Sequence, residues 1–148
     1  MFMAFPLTAA SLRAFTISAT VATLSGCRMF GAPPKDLDVA RTKVSARAMY
    51  RATITPAVEP IPRNTLHAWR LHLELANGAA VDSVTVLVDG GMPQHGHGLP
   101  TKPRVTRHLG HGDHLVEGMK FNMGGWWVVK FRITDKAATD SVVFNLVL

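Results

Sequence analysis

Cysteine occurs once in 148 residues, at Cys27, so no disulfide can close within the chain and no thiolate cluster can hold a metal. No apolar run reaches the ~20 residues that a helix needs to cross a bilayer. No stretch keeps a sustained 3.6-residue apolar period, which leaves long amphipathic helices without support. Internal repeats and low-complexity tracts are missing within the domain, and serines are sparse around the histidines. Without a nucleophile, base and orienter in sight, the chain is not expected to be an enzyme. Only Asp113, between His111 and His114, would suit hydrolytic metal chemistry. Acidic residues are outnumbered, 10 against 16 Lys and Arg, for a net charge of +6. The positive residues are scattered, and Lys35, Arg41, Lys43, Arg47 and Arg51 read as a solvated surface near the start of the domain. No nucleic-acid partner is expected.

Residues 1–26 have the layout of a secretory signal. Arg13 supplies the positive region, Ala14 to Leu24 is apolar apart from Thr and Ser, and small residues follow. Leu24-Ser25-Gly26-Cys27 resembles a bacterial lipobox, in which the cysteine is lipidated and becomes the first mature residue. That resemblance implies a chain anchored to a membrane through Cys27, outside the cytoplasm, on the periplasmic side. Arg28 is not the aspartate of an inner-membrane retention signal, so sorting to the outer membrane is favoured. Gly31-Ala32-Pro33-Pro34 begins a spacer, and residues 27–44 read as a tether. Cleavage after residue 26 leaves 122 of the 148 residues, with the domain itself at 45–148, a size for a single core.

Within that domain the apolar pattern has period two. Trp69, Leu71, Leu73 and Leu75 alternate with Arg70, His72 and Glu74; Trp127, Val129, Phe131 and Ile133 alternate with Val128, Lys130 and Arg132. Further strands are expected over 48–55, 84–89, 104–108, 115–121 and 141–148, with turn residues such as Asn77-Gly78 between them. About seven short strands at this spacing predict an all-β, antiparallel two-sheet sandwich.

The chemistry concentrates in Gly91-Met92-Pro93-Gln94-His95-Gly96-His97-Gly98. Five of the seven histidines (His95, His97, His108, His111 and His114) fall between positions 95 and 114, with Met119 and Met123 just beyond. Imidazole with thioether is a donor mix that suits copper, since sulfur holds Cu(I) and nitrogen holds either oxidation state. A blue-copper electron carrier would need a cysteine thiolate, and the one cysteine lies at the anchor. Zinc on three histidines would leave the methionines surplus. Taken singly, each residue has a plainer role: a loop histidine is commonly solvated, and a strand methionine fills core. His67 and His72 lie away from the cluster and read as structural, and Trp126 and Trp127 as packing.

Met92-Pro93-x-His95-Gly96-His97-Gly98, Pro103 and Gly118-Met119-x-Phe121-x-Met123-x-Gly125-x-Trp127 resemble the YtkA-like domains related to FixH proteins, over roughly residues 48–133. The resemblance implies an immunoglobulin-like or copper-resistance-protein-like β-sandwich. It also implies an extracytoplasmic setting, with copper handling or cytochrome oxidase assembly among the family's associations. It points to Met92, His95, His97, Met119 and Met123 as matching positions. His108, His111 and His114 stand outside the shared pattern, and their inclusion as metal ligands rests on this sequence alone.

The expected function is a lipid-anchored copper-binding protein, taking Cu(I) or Cu(II), that stores, buffers or delivers the metal. Its partner would be an envelope protein that accepts or donates copper. The alternative is an interaction module without metal that docks on a membrane or envelope complex. Convergence of the imidazoles and thioethers decides between them.

Overall fold

The structure is a computed structural model and describes residues 32–136 and 138–148. The expected leader at 1–26 and the lipidation site Cys27 lie outside the described residues. No helix among the described residues is long and apolar enough to cross a membrane.

Alternation of apolar and polar side chains builds the long strands. Strand β2 (Tyr50–Pro56) buries Tyr50, Ala52 and Ile54, and β3 (His67–Leu75) buries Trp69, Leu71 and Leu73. Strands β4 (Thr85–Met92), β6 (Arg104–Gly110) and β7 (Asp113–Met119) follow. In β8 (Trp126–Thr134), Trp127, Val129, Phe131 and Ile133 are fully buried, and in β9 (Thr139–Val147) Leu146, Phe144 and Val142 stand beside them on the same face. All the strands expected from the pattern are present. Two short ones join them: β1 (Thr42–Val44), within the stretch read as tether, and β5 (His97–Gly98), within the histidine loop.

Every pairing between strands is antiparallel, in the order β1-β2-β3-β7-β6-β4-β8-β9, with β5 on β4. The β6–β4 link is a single pair, Leu87 with Arg104, so the path turns a corner there and stacks β4, β8 and β9 over the other strands. The expected immunoglobulin-like antiparallel sandwich is what the chain forms, with its core between these two faces.

Asp140 ties the far side together. Its carboxylate, 3% exposed, accepts the Ser45 hydroxyl at 2.6 Å and the Arg47 and Ser141 amides at 3.0 and 2.7 Å. Burial pushes this carboxyl up, but the Ser45 hydroxyl and the backbone amides outweigh it and hold it below the usual range.

Strand direction sets where the chemistry lies. β4 starts at Thr85 opposite Thr134 and reaches Gly91 opposite Val128. Six steps of ~3.3 Å place those two ends about 20 Å apart. Met92 and the start of β8 lie at one end with the last residue of β7, Met119; His114, near the start of β7, lies at the other.

Candidate functional site

The Gly91–Gly98 stretch is a hairpin. Met92 pairs with His97, and Pro93–Gly96 turn between them, with the His95 and Gly96 amides donating to the Met92 carbonyl at 3.1 and 3.0 Å. The turn brings the His95 and His97 rings to 5.8 Å between centroids. A tight turn, not an extended segment, brings the two rings together. His97 is exposed and its Nδ1 lies 3.0 Å from the Gly98 carbonyl, which can only accept. The proton therefore sits on Nδ1, and Nε2 keeps the lone pair a metal would use.

Trp127 is the floor of this end. The His97 ring meets it edge-on at 5.6 Å. The indole N–H donates to the Met123 carbonyl at 3.1 Å, which fixes the chain at Met123 beside the ring. Met92 is 1% exposed, and its methyl fills the place where a side chain on residue 125 would start: a Cβ on Gly125 would stand 2.9 Å from it. The His97 ring and the Met123 backbone thus meet at Trp127, Met92 lies against Gly125 two residues away, and His95 is beside His97. Met119 is at the same end but fully buried. It precedes Phe121 by two residues, and Phe121 packs edge-on against Trp127 at 5.1 Å. Gln94 donates to the Ala32 carbonyl at 2.9 Å, so the segment leading into the domain passes along the hairpin.

His67 is a neighbour of this end that the sequence placed elsewhere. It stands opposite Met119 across the β3–β7 pair, its ring 5.7 Å from Phe121. Its Nδ1 donates to the Thr65 carbonyl at 3.0 Å, and its Nε2 is buried with no hydrogen-bond partner among the described residues. Only strand register reveals this, because 52 positions separate His67 from Met119.

The remaining histidines are not brought to Trp127. His108 and His114 pair with each other at the opposite end, Nδ1 to Nδ1 at 2.7 Å, and His111 is exposed in the turn between β6 and β7. Burial pushes the His114 imidazole below its ordinary value, against the Val81 carbonyl and with help from His108. His72 lies on the sheet's outer face, its Nδ1 2.7 Å from Asp113 and its Nε2 3.3 Å from Glu74. Burial works against its charge, yet the two carboxylates prevail and raise it. Among the described residues, no three His, Cys, Asp or Glu side chains gather into a metal-holding group. A metal at the Trp127 end therefore needs the thioethers.

Comparison with curated proteins and with solved structures finds no match. The sequence profile of the YtkA-like family does match, over residues 46–132, which take in the histidine hairpin, Met119, Met123 and most of β8. More than half of the chain is covered, in the region where the His–Met pattern suggested such a domain, and the protein therefore belongs to the YtkA-like family.

Proposed function

We propose that this protein is a lipid-anchored, extracytoplasmic copper-binding protein that buffers copper or hands it to a partner in the cell envelope. Copper is its cargo. His95 and His97 supply imidazole nitrogen, and Met92 and Met123 supply thioether sulfur. Met119, fully buried at the same end, belongs to the core. The single observation that supports this reading is that the His97 ring lies on Trp127, the indole N–H holds the Met123 carbonyl, and the Met92 methyl lies against Gly125, all at one end of the sandwich.

The donor set fits the cargo. Two nitrogens and two sulfurs match the soft preference of Cu(I), while an oxygen-seeking cation would find nothing comparable there. The two kinds of donor also differ in access: His97 is exposed, whereas Met92 is 1% exposed. An incoming partner's ligands can replace imidazole from the solvent side while sulfur still holds the ion, and the indole screens the ion from water. Acylation of Cys27 would keep the domain at a membrane on its periplasmic side, the outer membrane being favoured by Arg28.

The test is retention of Cu(I) by the full chain in detergent, measured against a chromogenic chelator. Replacing both histidines, His95→Ala with His97→Ala, should abolish retention and leave the apo melting temperature within about 1–2 °C, since both sit on the surface hairpin. Unchanged retention in the double variant would refute the assignment.

A further inference from the structure

We propose that His108 and His114 form a second, separate cation site for a divalent ion of the Zn(II) or Cu(II) kind, at the end of the sandwich away from His95 and His97. This site does not depend on the copper reading above.

The two rings are built as a chelating pair. His114 is fully buried, and its Nε2 donates to the Val81 carbonyl at 2.8 Å. That bond fixes the ring and its tautomer and leaves Nδ1 with a lone pair, the arrangement that backbone carbonyls impose on metal-bound histidines. His108 brings its own Nδ1 to 2.7 Å from that atom, edge-on, with ring centroids 4.9 Å apart. Unlike His114, it is exposed, and it borders an open hollow of about 730 Å³ that Asp82 and Asp135 also line. The Asp82 carboxylate is oriented by the Gly112 amide at 2.6 Å, and its charge acts on His114.

Two imidazoles bound cis to one ion at ~2.0–2.1 Å hold their nitrogens about 2.9–3.4 Å apart. The observed 2.7 Å is reached from there by a small swing of the exposed ring, with His114 staying where it is. The ion takes the place of the proton between the rings. His108 then carries its single proton on Nε2, His114 keeps its own on Val81, and no net proton is released from the neutral pair. Water fills the remaining positions. No thioether belongs to this cluster, so the pair prefers a borderline divalent cation to Cu(I). Lys136 on the same hollow opposes the ion's charge and keeps the affinity moderate.

The experiment uses the full chain carrying His95→Ala and His97→Ala, titrated with Zn(II) by calorimetry. One equivalent should bind, with the same enthalpy in buffers of different ionisation heat near pH 8. Adding His108→Ala should weaken binding at least tenfold. His108→Gln can still donate a hydrogen bond to His114 Nδ1 but offers no imidazole lone pair, so it should fold normally and bind as weakly as the alanine variant. Absence of Zn(II) binding in the His95/His97 double variant would overturn the proposal. So would wild-type-like affinity in the His108→Gln variant, which would make the pair a structural hydrogen bond only.

Discussion

Gly125→Ala probes the coupling between fold and site most sharply, because two separate penalties meet at that position. The backbone sits at φ +119°, where an L side chain is strained by about 1–3 kcal/mol. A new Cβ would also stand 2.9 Å from the Met92 methyl, about half an ångström inside ordinary contact, and Met92 is 1% exposed with little room to retreat. Overpacking of this kind costs roughly 1–3 kcal/mol more. The total, about 2–6 kcal/mol, corresponds to a fall of roughly 8–24 °C in Tm for a domain of this size. Gly78→Ala is the control: Gly78 has φ +82° with nothing within 4 Å of a Cβ, so only the backbone penalty of about 1–2 kcal/mol applies. Thermal melts of the apo proteins and chelator competition for Cu(I) should be run on both. The Gly125 variant should melt below the Gly78 variant and lose copper affinity through the displaced Met92. Equal melting of the two, with copper affinity intact, would show that Met92 does not depend on this glycine and would sink the reasoning.

Met92→Leu conserves volume, so stability should change by less than about 1.5 kcal/mol. Cu(I) affinity should nevertheless fall about tenfold, or 1.4 kcal/mol, by chelator competition; an unchanged value would make Met92 core filling alone. Asp140→Asn exchanges a charged acceptor for an amide beside Ser45 and three backbone amides, and should cost about 1.5–3 kcal/mol by denaturant titration near neutral pH. Because the Asp140 pKa is held below 3.8 in the fold, its contribution is present above that pH and is lost as the pH falls through the depressed value; the two proteins should converge in strong acid. His72 works in the other direction. Its pKa is raised above 6.5, so its stabilisation is complete below that pH and fades as the pH rises through the raised value. The difference in Tm between wild type and His72→Gln should therefore shrink from pH 5.5 to pH 8, and a constant difference would contradict the ion pairing. Cys27→Ser should move the chain from the membrane to the soluble fraction on cell fractionation, and retention at the membrane would refute the lipid anchor.

The strands of the core were legible because burial on one face writes a period-two pattern into the chain. Trp127 to Ile133 shows it most clearly, and those four alternate residues are fully buried. β1 and β5, at three and two residues, are too short to carry any period, and their existence depends on partners far along the chain or across a turn. Pairing of Met92 with His97 was invisible for the same reason, since glycine, proline and histidine carry no apolar signal. Residue type singled out His95, His97, Met92 and Met123, and the fold carries them to one end because a single hairpin and the entry to one strand hold them. Nearness in sequence misled for His108 and His114. Eleven positions separate His97 from His108, but β6 runs back along the molecule and carries it to the other end. His67 shows the converse: distant in sequence, it is brought beside Phe121 by β3–β7 register alone.

The contact between Gln94 and Ala32 has a geographical consequence. Only four residues lie between Ala32 and Cys27, and five steps of a fully stretched chain at ~3.5 Å each would leash an acylated Cys27 within about 18 Å of the hairpin's flank. The His95–His97 end would then stay close to the lipid headgroups, nearer to them than the His108–His114 end about 20 Å of strand away can be held. On the proposed copper reading, exchange would then run sideways, between neighbours diffusing in the same sheet of lipid.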